Sequence, residues 1–240
     1  MQAFLLAAGK GSRISKNIPE IPKCTLPVGD RPLIQRTIEM LLSNNIQVTI
    51  IVGYKHKYIR EVLKTYDINI VYNPFYDVTN SIASLWLARN LIQNQDMIIA
   101  NADVYWNQEI LDSLMGHRDD VFLLTDKTRV LDGDYFFYAP NGYVEKYGKE
   151  LEIEERTCEY VGIARVCKNF VSLFKNRLEA LIEKQKHGLW WENVLYSFSD
   201  EREISILDVE GKFWAEIDFI EDYERILEYV RVQEKINDIE

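Results

Sequence analysis

Short apolar runs alternate with segments of helical periodicity in the first half of the chain. Ala3 to Ala8 is a continuous apolar run that ends at Gly9, which is typical of a strand buried on both faces of a parallel sheet. The pattern then predicts a helix at Pro32 to Asn44, a strand at Val48 to Val52, a helix at Lys55 to Tyr66, a strand at Ile68 to Tyr72, a helix at Ser81 to Leu91 and a strand at Met97 to Ala100. This alternation predicts a doubly wound α/β fold with a mostly parallel sheet and ligands at the carboxyl ends of its strands.

Beyond Leu124 the pattern changes to short β-like segments joined by turn residues. These segments are predicted at Asp134 to Tyr138, Tyr143 to Tyr147, Leu151 to Ile153 and Tyr160 to Val166. Helices are then predicted at Asn169 to Gln185 and Trp190 to Phe198, strands at Ile204 to Val209 and Phe213 to Ile217, and an amphipathic helix at Ile220 to Ile236. Because no linker separates the halves, we expect a single domain over residues 1–240, with a smaller antiparallel and helical lobe after residue 125.

Charge and composition narrow the possible partners. The 240 residues carry a net charge of −10, with 38 acidic against 28 basic residues, and the basic residues form no cluster. A nucleic-acid backbone would be repelled by such a surface, and no apolar run is long enough for a membrane span, so neither partner is expected. Cys24, Cys158 and Cys167 have no metal-site or paired spacing, which predicts reduced thiols in a cytoplasmic protein.

A glycine-rich turn with cations follows the first predicted strand. It reads Leu5-Leu6-Ala7-Ala8-Gly9-Lys10-Gly11-Ser12-Arg13, and Lys23 follows in Pro22-Lys23. Glycine lets backbone N–H groups approach phosphate oxygens, and Arg13 and Lys23 can reach the same phosphates. Ile14 replaces the third glycine of a dinucleotide fingerprint, and the Gly-Lys-Ser/Thr of a P-loop is absent. The turn therefore indicates a different phosphate site, or else a turn whose charges are incidental.

Several stretches resemble nucleotidyltransferases. The turn, together with Pro22-Lys23, Leu26-Pro27-Val28 and Arg31-Pro32-Leu33-Ile34, is similar to the start of enzymes that join a nucleoside triphosphate to a sugar phosphate or phospho-alcohol. Asn80-Ser81-Ile82-Ala83-Ser84-Leu85-Trp86, Trp190-Trp191-Glu192-Asn193 and Glu216-Ile217-Asp218 resemble the bacterial phosphocholine cytidylyltransferase branch more than the sugar branch. The resemblance implies a Rossmann-like fold, with a nucleotide-binding half at residues 1–125 and an acceptor-binding and lid half at residues 126–240.

The resemblance also implies the reaction and its charged residues. In such enzymes an acceptor phosphate oxygen attacks the α-phosphorus of the nucleotide and expels pyrophosphate, so the protein positions groups and neutralises charge. Lys23 would bind the α-phosphate and the acceptor phosphate, and Arg13 the β- and γ-phosphates. Asp103 and Asp218 would hold Mg²⁺, the one cofactor expected. Taken alone, each aspartate also fits a strand-end turn or a helix N-cap.

The resemblance implies nucleotide-binding residues in two places. They are the turn residues Leu6, Ala7, Ala8, Gly9, Gly11 and Ser12, together with Asn80 and Ser84 at the start of a predicted helix. An amide and a hydroxyl one helical turn apart can read a pyrimidine edge by hydrogen bonds, although Asn80 also fits an N-cap and Ser84 a surface serine. The sequence leaves cytosine and uracil open.

An aromatic and acidic pocket is expected for the acceptor. Its candidates are Tyr135, Trp190, Trp191, Glu192, Trp214 and Glu216. Aromatic faces and a nearby carboxylate suit a quaternary ammonium through cation–π contact. Trp190 and Trp191 are adjacent and point in different directions on a helix, so at most one of them is expected to line the pocket.

These observations lead to one expected function with open alternatives. The chain is expected to transfer CMP from CTP to a small phosphorylated, amine-type metabolite such as phosphocholine, supplying a precursor for cell-surface glycan or lipid decoration. Phosphoethanolamine, aminoethylphosphonate and phosphoglutamine are alternative acceptors. A sugar-1-phosphate nucleotidyltransferase using UTP or dTTP, and a nucleotide-binding module without catalysis, are the rival functions. Either a monomer or a homodimer is compatible with the sequence.

Overall fold

The computed structural model describes residues 1–11, 14 and 20–237. Its strands are β1 (Gln2–Ala7), β2 (Pro27–Val28), β3 (Arg31–Pro32), β4 (Gln47–Val52), β5 (Asn69–Tyr72), β6 (Met97–Asn101), β7 (Val104–Tyr105), β8 (Val121–Asp126), β9 (Phe136–Tyr138), β10 (Lys146–Gly148), β11 (Cys158–Val166), β12 (Ser205–Asp208) and β13 (Ala215–Glu216). Its helices are α1 (Leu33–Ser43), α2 (His56–Val62), α3 (Ser81–Leu87), α4 (Gln108–Gly116), α5 (Lys168–Glu183), α6 (Asn193–Tyr196) and α7 (Ile220–Asn237). Strands and helices alternate through β6, as the hydrophobic pattern predicts.

The central sheet is mixed, and its parallel part fixes where a ligand can bind. Its strand order is β10-β9-β11-β6-β1-β4-β5, and β8 joins it by pairing with β11 and β12. β1 runs parallel to both β4 and β6, and β4 runs parallel to β5. The chain therefore proceeds to one side of β1 and later returns to the other, so the strand order reverses between β1 and β6. Loops diverge at such a reversal, which leaves a crevice at the carboxyl ends of the two strands.

The antiparallel strands of the second half continue this same sheet. β11 is antiparallel to β6, β8 and β9, and β9 is antiparallel to β10. All nine residues of β11 are buried. β6 of the first half is thus hydrogen-bonded directly to the strands of the second half.

Helices cover both faces of the sheet, and β1 is buried between them. Its odd-numbered apolar side chains pack with those of α1, α2 and α4, whereas Phe4 packs on the opposite face with α3 and α5. A strand buried on both faces reads as a continuous apolar run, which explains the pattern at the start of the chain. No helix among the described residues combines the length and apolar character that a membrane span requires.

A smaller apolar cluster attaches α7 to the crevice. Ile226 and Val230 of α7 pack against Val28 and Leu33, and against Ile217. β13 pairs with β7, just after β6, in antiparallel fashion. The last quarter of the chain therefore returns to the carboxyl end of β6.

Two predicted elements differ clearly from the structure, and two longer elements of the structure were not predicted. Residues Leu151 to Ile153 form no strand, and a 3₁₀ turn occupies Ile153–Glu155. The helix expected at Trp190 to Phe198 is reduced to the four residues Asn193–Tyr196, because residues 191–192 and 197–200 form turns. β8 and α4 were not predicted, although Val121 to Leu124 is a continuous apolar run and Ile110, Leu111 and Leu114 are at helical spacing.

A bulge in β11 gives a prediction for stability. The pairing of β11 with β8 shifts register between Tyr160 and Ala164, and Gly162 lies there with φ = +84°. A Cβ at Gly162 would lie 3.0 Å from Val104 Cγ2. We expect Gly162→Ala to lower the free energy of unfolding by about 1–2 kcal/mol, the cost of a side chain in the left-handed region.

Urea unfolding at pH 7 measures this difference. Gly116→Ala is the matched control, because a Cβ there meets no atom within 4 Å and the residue ends α4 with an ordinary φ. The control should be neutral or stabilising. Equal free energies of unfolding for the two variants would contradict the assignment of strain to Gly162.

Candidate functional site

A cavity of about 320 Å³ opens at the carboxyl ends of β1 and β6, where the strand order reverses. This volume lies in the range of small-molecule sites. The cavity is lined by predicted site residues from both halves of the chain: Leu6, Ala7, Ala8, Gly9, Gly11, Lys23, Asn80, Ser84, Asp103, Tyr135, Trp190, Glu192, Glu216 and Asp218. Residues far apart in sequence are thus brought to one crevice.

Two predicted residues, Ser12 and Arg13, lie outside the described residues. Their proposed contacts with phosphates therefore stay predictions.

The Lys23 side chain passes directly beneath the glycine turn. Gly11 has φ = +63°, and a Cβ there would lie 2.6 Å from Lys23 Cγ and Cε. Glycine is therefore required at position 11 both for the backbone conformation and for the close approach of Lys23. A Cβ at Gly9, in contrast, would meet no atom within 4 Å, so this part of the turn borders open space.

Lys23 lies between two carboxylates that come from different strands. Its Nζ donates to Asp218 Oδ1 at 2.5 Å and lies 3.6 Å from Asp103 Oδ2. The side chain of Lys23 is only 10% exposed. Burial acts to lower the pKa of Lys23, but the charges of Asp103 and Asp218 outweigh it and raise this pKa above its ordinary value. Lys23 therefore stays charged at neutral pH.

The pairing of β7 with β13 brings the two aspartates together. Asp103 lies in the tight turn between β6 and β7, and Asp218 follows β13. Glu216 pairs with Val104, and the Ile217 N–H donates to the Asp103 carbonyl at 3.0 Å. The start of α7 is fixed as well, because the Asp222 carboxylate accepts hydrogen bonds from the Asp218 and Phe219 N–H groups.

Three carboxyl groups lie near Lys23 at this point of the cavity. Burial raises the pKa of Asp103 against the opposing effect of Lys23, and the neighbouring Asp218 raises it further. Burial, followed by Asp103 and Asp218, raises the pKa of Glu216 well above its ordinary value. The Lys23 ammonium thus offsets part of the negative charge of these groups, and protons or a bound cation can offset more.

The carboxylates near Lys23 suit a cation whose other ligands are waters and substrate phosphates. Among the described residues, no group of three or more His, Cys, Asp or Glu side chains is arranged to hold a metal ion. Mg²⁺ in phosphate-binding sites is held by one or two carboxylates together with substrate phosphates and waters. The pair Asp103 and Asp218 matches that requirement, whereas a metal bound only by protein ligands would need more donors.

On the side of the cavity where the nucleotide is expected, Asn80 caps α3. Its Oδ1 accepts the Ser81 N–H at 2.8 Å, which is the capping role expected for this residue type. Ser84 lies one turn further along α3, is only 2% exposed, and lines the cavity. The amide and hydroxyl therefore border the same space, although the Asn80 oxygen is already engaged.

On the side of the cavity where the acceptor is expected, aromatic rings surround the space. Trp190 is 40% exposed and packs edge-to-face on Tyr135, with ring centroids 5.5 Å apart. Tyr196 stacks on Tyr147 at 4.2 Å. Lys149 Nζ lies 5.7 Å from the centre of the Trp190 ring and pairs with Asp134 at 2.5 Å. The ammonium of Lys149 therefore already lies against the Trp190 ring.

The predicted pocket roles of Trp191 and Trp214 are wrong, because both side chains belong to the core. Trp191 has no exposed surface, and its Nε1–H donates to Asn101 Oδ1 at 3.0 Å. The Trp191 N–H also donates to Ser81 Oγ at 2.9 Å, so this residue ties the start of α3 to the end of β6. Trp214 is 4% exposed, and its Nε1–H donates to Asp126 Oδ2. Trp190 alone of the adjacent pair lines the cavity, as expected for neighbours that point in different directions.

Glu192 has a buried carboxyl group that lines the cavity on the side of the aromatic rings. Burial raises its pKa to about 8, and the adjacent Asn101 amide and Tyr160 hydroxyl offset only part of this effect. The Tyr160 hydroxyl is itself buried and lies beside this carboxyl group. The two polar groups thus line the same cavity.

Sequence reasoning missed several residues that line the cavity, among them Tyr76, Lys149, Tyr160 and Tyr196. Tyr160 lies in β11, and Lys149 directly follows β10. Their positions depend on the register of antiparallel strands, for which the sequence contains no local signal. Asn101 lies two residues before the predicted Asp103, and this proximity was the one signal in the sequence for a further cavity residue.

Comparison with known proteins is consistent with this geometry. The sequence profile described as the MobA-like NTP transferase domain matches residues 3–190. A CTP:phosphoglutamine cytidylyltransferase from Campylobacter jejuni is 26% identical over 93% of this chain and 98% of its own length. A choline-phosphate cytidylyltransferase from Streptococcus pneumoniae is 24% identical over 96% of this chain and 99% of its own. The solved CTP:phosphocholine cytidylyltransferase structure from Streptococcus pneumoniae has a TM-score of 0.73 at 22% identity, covering 95% of this chain and 98% of the other.

The buried Glu192 predicts a pH dependence of stability. Because its folded-state pKa lies above the ordinary 4.5, the group's contribution to stability is complete below about pH 4.5 and is lost as pH rises through about 8. Glu192→Gln mimics the protonated carboxyl and should lack this loss. Between pH 6 and pH 9 the parent protein should lose about 2–3 kcal/mol more free energy of unfolding than the variant.

Urea unfolding at pH 6, 7, 8 and 9 tests this expectation. Glu152→Gln is the control, because Glu152 is exposed and its neutralisation should leave the pH profile unchanged. A Glu192→Gln profile parallel to that of the parent would contradict the raised pKa.

Proposed function

The chain belongs to the MobA-like NTP transferase family, and from this membership we propose that it transfers CMP from CTP to a small phosphorylated, amine-bearing metabolite and releases pyrophosphate. Phosphocholine is the leading acceptor. The proposal is supported by full-length relatives that are named as cytidylyltransferases for choline phosphate and phosphoglutamine. Residues 1–125 would hold the nucleotide, and residues 126–240 the acceptor.

The observation that carries the proposal is the position of Lys23 between Asp103 and Asp218 at the junction of the two halves. An acceptor phosphate oxygen forms a bond to the α-phosphorus in line as the bond from that phosphorus to the β-phosphate oxygen breaks. Negative charge on the α-phosphate grows during this step, and a fixed ammonium beside it lowers the barrier. Lys23 is held there by two carboxylates and by the absence of a side chain at Gly11.

The remaining roles follow from the same arrangement. Asp103 and Asp218 would hold Mg²⁺, which when bound supplies positive charge to the phosphate oxygens. Arg13, with Ser12 and the backbone of Gly9 and Gly11, would bind the β- and γ-phosphates.

The two substrates meet opposite walls of the cavity. The backbone from Leu6 to Gly9 faces Asn80 and Ser84 across the space proposed for the base. On the other side Tyr135, Trp190, Glu192 and Glu216 would enclose the cationic end of the acceptor. Aromatic faces and buried carboxyl groups favour a positively charged group there. This chemistry fits an amine better than a neutral sugar.

Pyrophosphate release tests the function directly. CTP, UTP, dTTP, ATP and GTP are each combined with phosphocholine, phosphoethanolamine, aminoethylphosphonate, phosphoglutamine and glucose-1-phosphate in the presence of Mg²⁺. We expect the largest kcat/KM with CTP and an amine-bearing acceptor. Faster turnover of glucose-1-phosphate with UTP or dTTP would contradict the proposal and favour a sugar-1-phosphate nucleotidyltransferase. Absence of turnover in every combination would favour a non-catalytic nucleotide-binding module.

Substitution of the central lysine gives a second test. Lys23→Ala should lower kcat by about 100- to 1000-fold, because a charged donor positioned for the transition state is removed. Lys64→Ala is the control, since Lys64 is an exposed lysine that pairs with Glu61 and does not line the cavity. Thermal unfolding followed by circular dichroism verifies that both variants are folded. An unchanged kcat for folded Lys23→Ala would remove Lys23 from the mechanism.

A further inference from the structure

A loop with no buried residue borders the cavity on the side of the aromatic rings. This loop spans residues 127–135 and joins β8 to β9. None of its residues is buried, and Leu131 is 68% exposed. Asp134 and Tyr135, at the end of the loop, nevertheless line the cavity. Polar contacts must therefore fix the course of the loop up to Tyr135.

A buried carboxyl group of β11 bonds to the loop at two points. Glu159 is only 5% exposed. Its Oε2 accepts a hydrogen bond from Arg129 Nε at 2.7 Å, and its Oε1 accepts the Asp134 N–H at 2.9 Å. Arg129 Nη2 also donates to the Asp132 carbonyl at 3.3 Å. One carboxyl group thus connects residue 129 to residue 134, with a different oxygen for each donor.

The loop lies directly on this carboxyl group at Gly133. A Cβ at Gly133 would lie 2.6 Å from Glu159 Cδ and 2.8 Å from Glu159 Oε1. The φ of Gly133 is not among the positive values, so space rather than backbone conformation requires glycine here. The close contact of the loop with Glu159 therefore depends on the absence of a side chain at residue 133.

The next residue of β11 holds the next residue of the loop. The Tyr160 N–H donates to the Tyr135 carbonyl at 2.8 Å. Glu159 and Tyr160 thus fix Asp134 and Tyr135 in turn. Beyond these contacts, the Asp134 carboxylate pairs with Lys149, and the Tyr135 ring packs on the Trp190 ring. This wall of the cavity is therefore attached to β11 through residues 134 and 135.

These contacts give Glu159 a role in the binding of the acceptor. We propose that Glu159 is a positioning residue, which holds the 127–135 loop so that Asp134 and Tyr135 are placed correctly against the acceptor. This inference rests on the proposed function, because it requires that the acceptor binds against residues 134 and 135.

Glu159→Gln tests the proposal. A carboxamide has only one oxygen, so either Arg129 Nε or the Asp134 N–H would face the NH₂ group and lose its acceptor. Pyrophosphate release is measured with CTP and phosphocholine each varied in turn, or with the acceptor that the parent protein turns over fastest. We expect the KM for the acceptor to rise roughly 10-fold or more, whereas kcat and the KM for CTP should stay within about twofold of the parent values.

The matched control is Glu155→Gln, which makes the same chemical change at an exposed ion pair with Lys146 in the same half of the chain. Glu155 does not line the cavity, so its kinetic constants should equal those of the parent. If Glu159 had only a general structural role, Glu159→Gln would raise both KM values together or lower kcat alone, and either result would overturn the proposal.

A second variant disturbs the same contact while Glu159 is retained, and it carries the test if Glu159→Gln does not fold. In Gly133→Ala the new Cβ must displace the Glu159 carboxyl group, and it also approaches Phe136 Cε1 at 2.8 Å. We expect the same selective rise in the KM for the acceptor. A folded Gly133→Ala protein with the acceptor KM of the parent would overturn the proposal.

Hydrogen–deuterium exchange separates this inference from the proposed function, because it requires no turnover. Backbone amides of residues 129–135 should exchange faster in Glu159→Gln than in the parent, with unchanged exchange in β1. Unchanged exchange at residues 129–135 would overturn the proposal even if the acceptor KM rises, since Glu159 would then act by direct contact. A parent protein that turns over no acceptor would contradict the proposed function and, with it, the placement of an acceptor against this loop, whatever the exchange result.

Discussion

The ion pair of Lys23 with Asp218, together with Asp103, is the interaction on which the site depends. It joins residues 195 positions apart and closes the crevice at the carboxyl ends of β1 and β6. The Lys23 ammonium offsets the negative charge of Asp103 and Asp218, and buried carboxyl groups are costly without such compensation. The charge requirement therefore dictates which segments must meet: the glycine turn, the end of β6 and the start of α7.

The acidic surroundings of Lys23 connect the fold to the proposed chemistry. A nucleoside triphosphate is itself strongly negative, so a protein of net charge −10 must gather its cations at one place to bind it. In the proposed function, Lys23 would lie at that place, and Asp103 and Asp218 would hold a metal ion that accompanies the phosphates. Aromatic rings and the buried Glu192 would enclose the cationic end of the acceptor. The cavity would thus be divided between an anionic substrate and one with a cationic end.

Much of the fold was predictable because its signals are local. The apolar run of β1 and the turn that follows it each occupy a few consecutive residues, and parallel-strand topology then places the turn beside Asp103. The acceptor side was less predictable. The choice between Trp190 and Trp191 depends on the direction of a single turn, and Lys149 and Tyr160 reach the cavity through antiparallel pairing with a bulge at Gly162. Such register is set by packing between distant segments, and no short stretch of sequence contains it.

The most direct measurement is a crystal structure of the protein with CTP and Mg²⁺. The account predicts that an α-phosphate oxygen lies within hydrogen-bond distance of Lys23 Nζ, at about 3 Å, with Asp103 and Asp218 beside the metal ion and the cytosine ring against Ser84. CTP bound with its phosphates away from Lys23, or with its base outside the cavity between the glycine turn and α3, would contradict it.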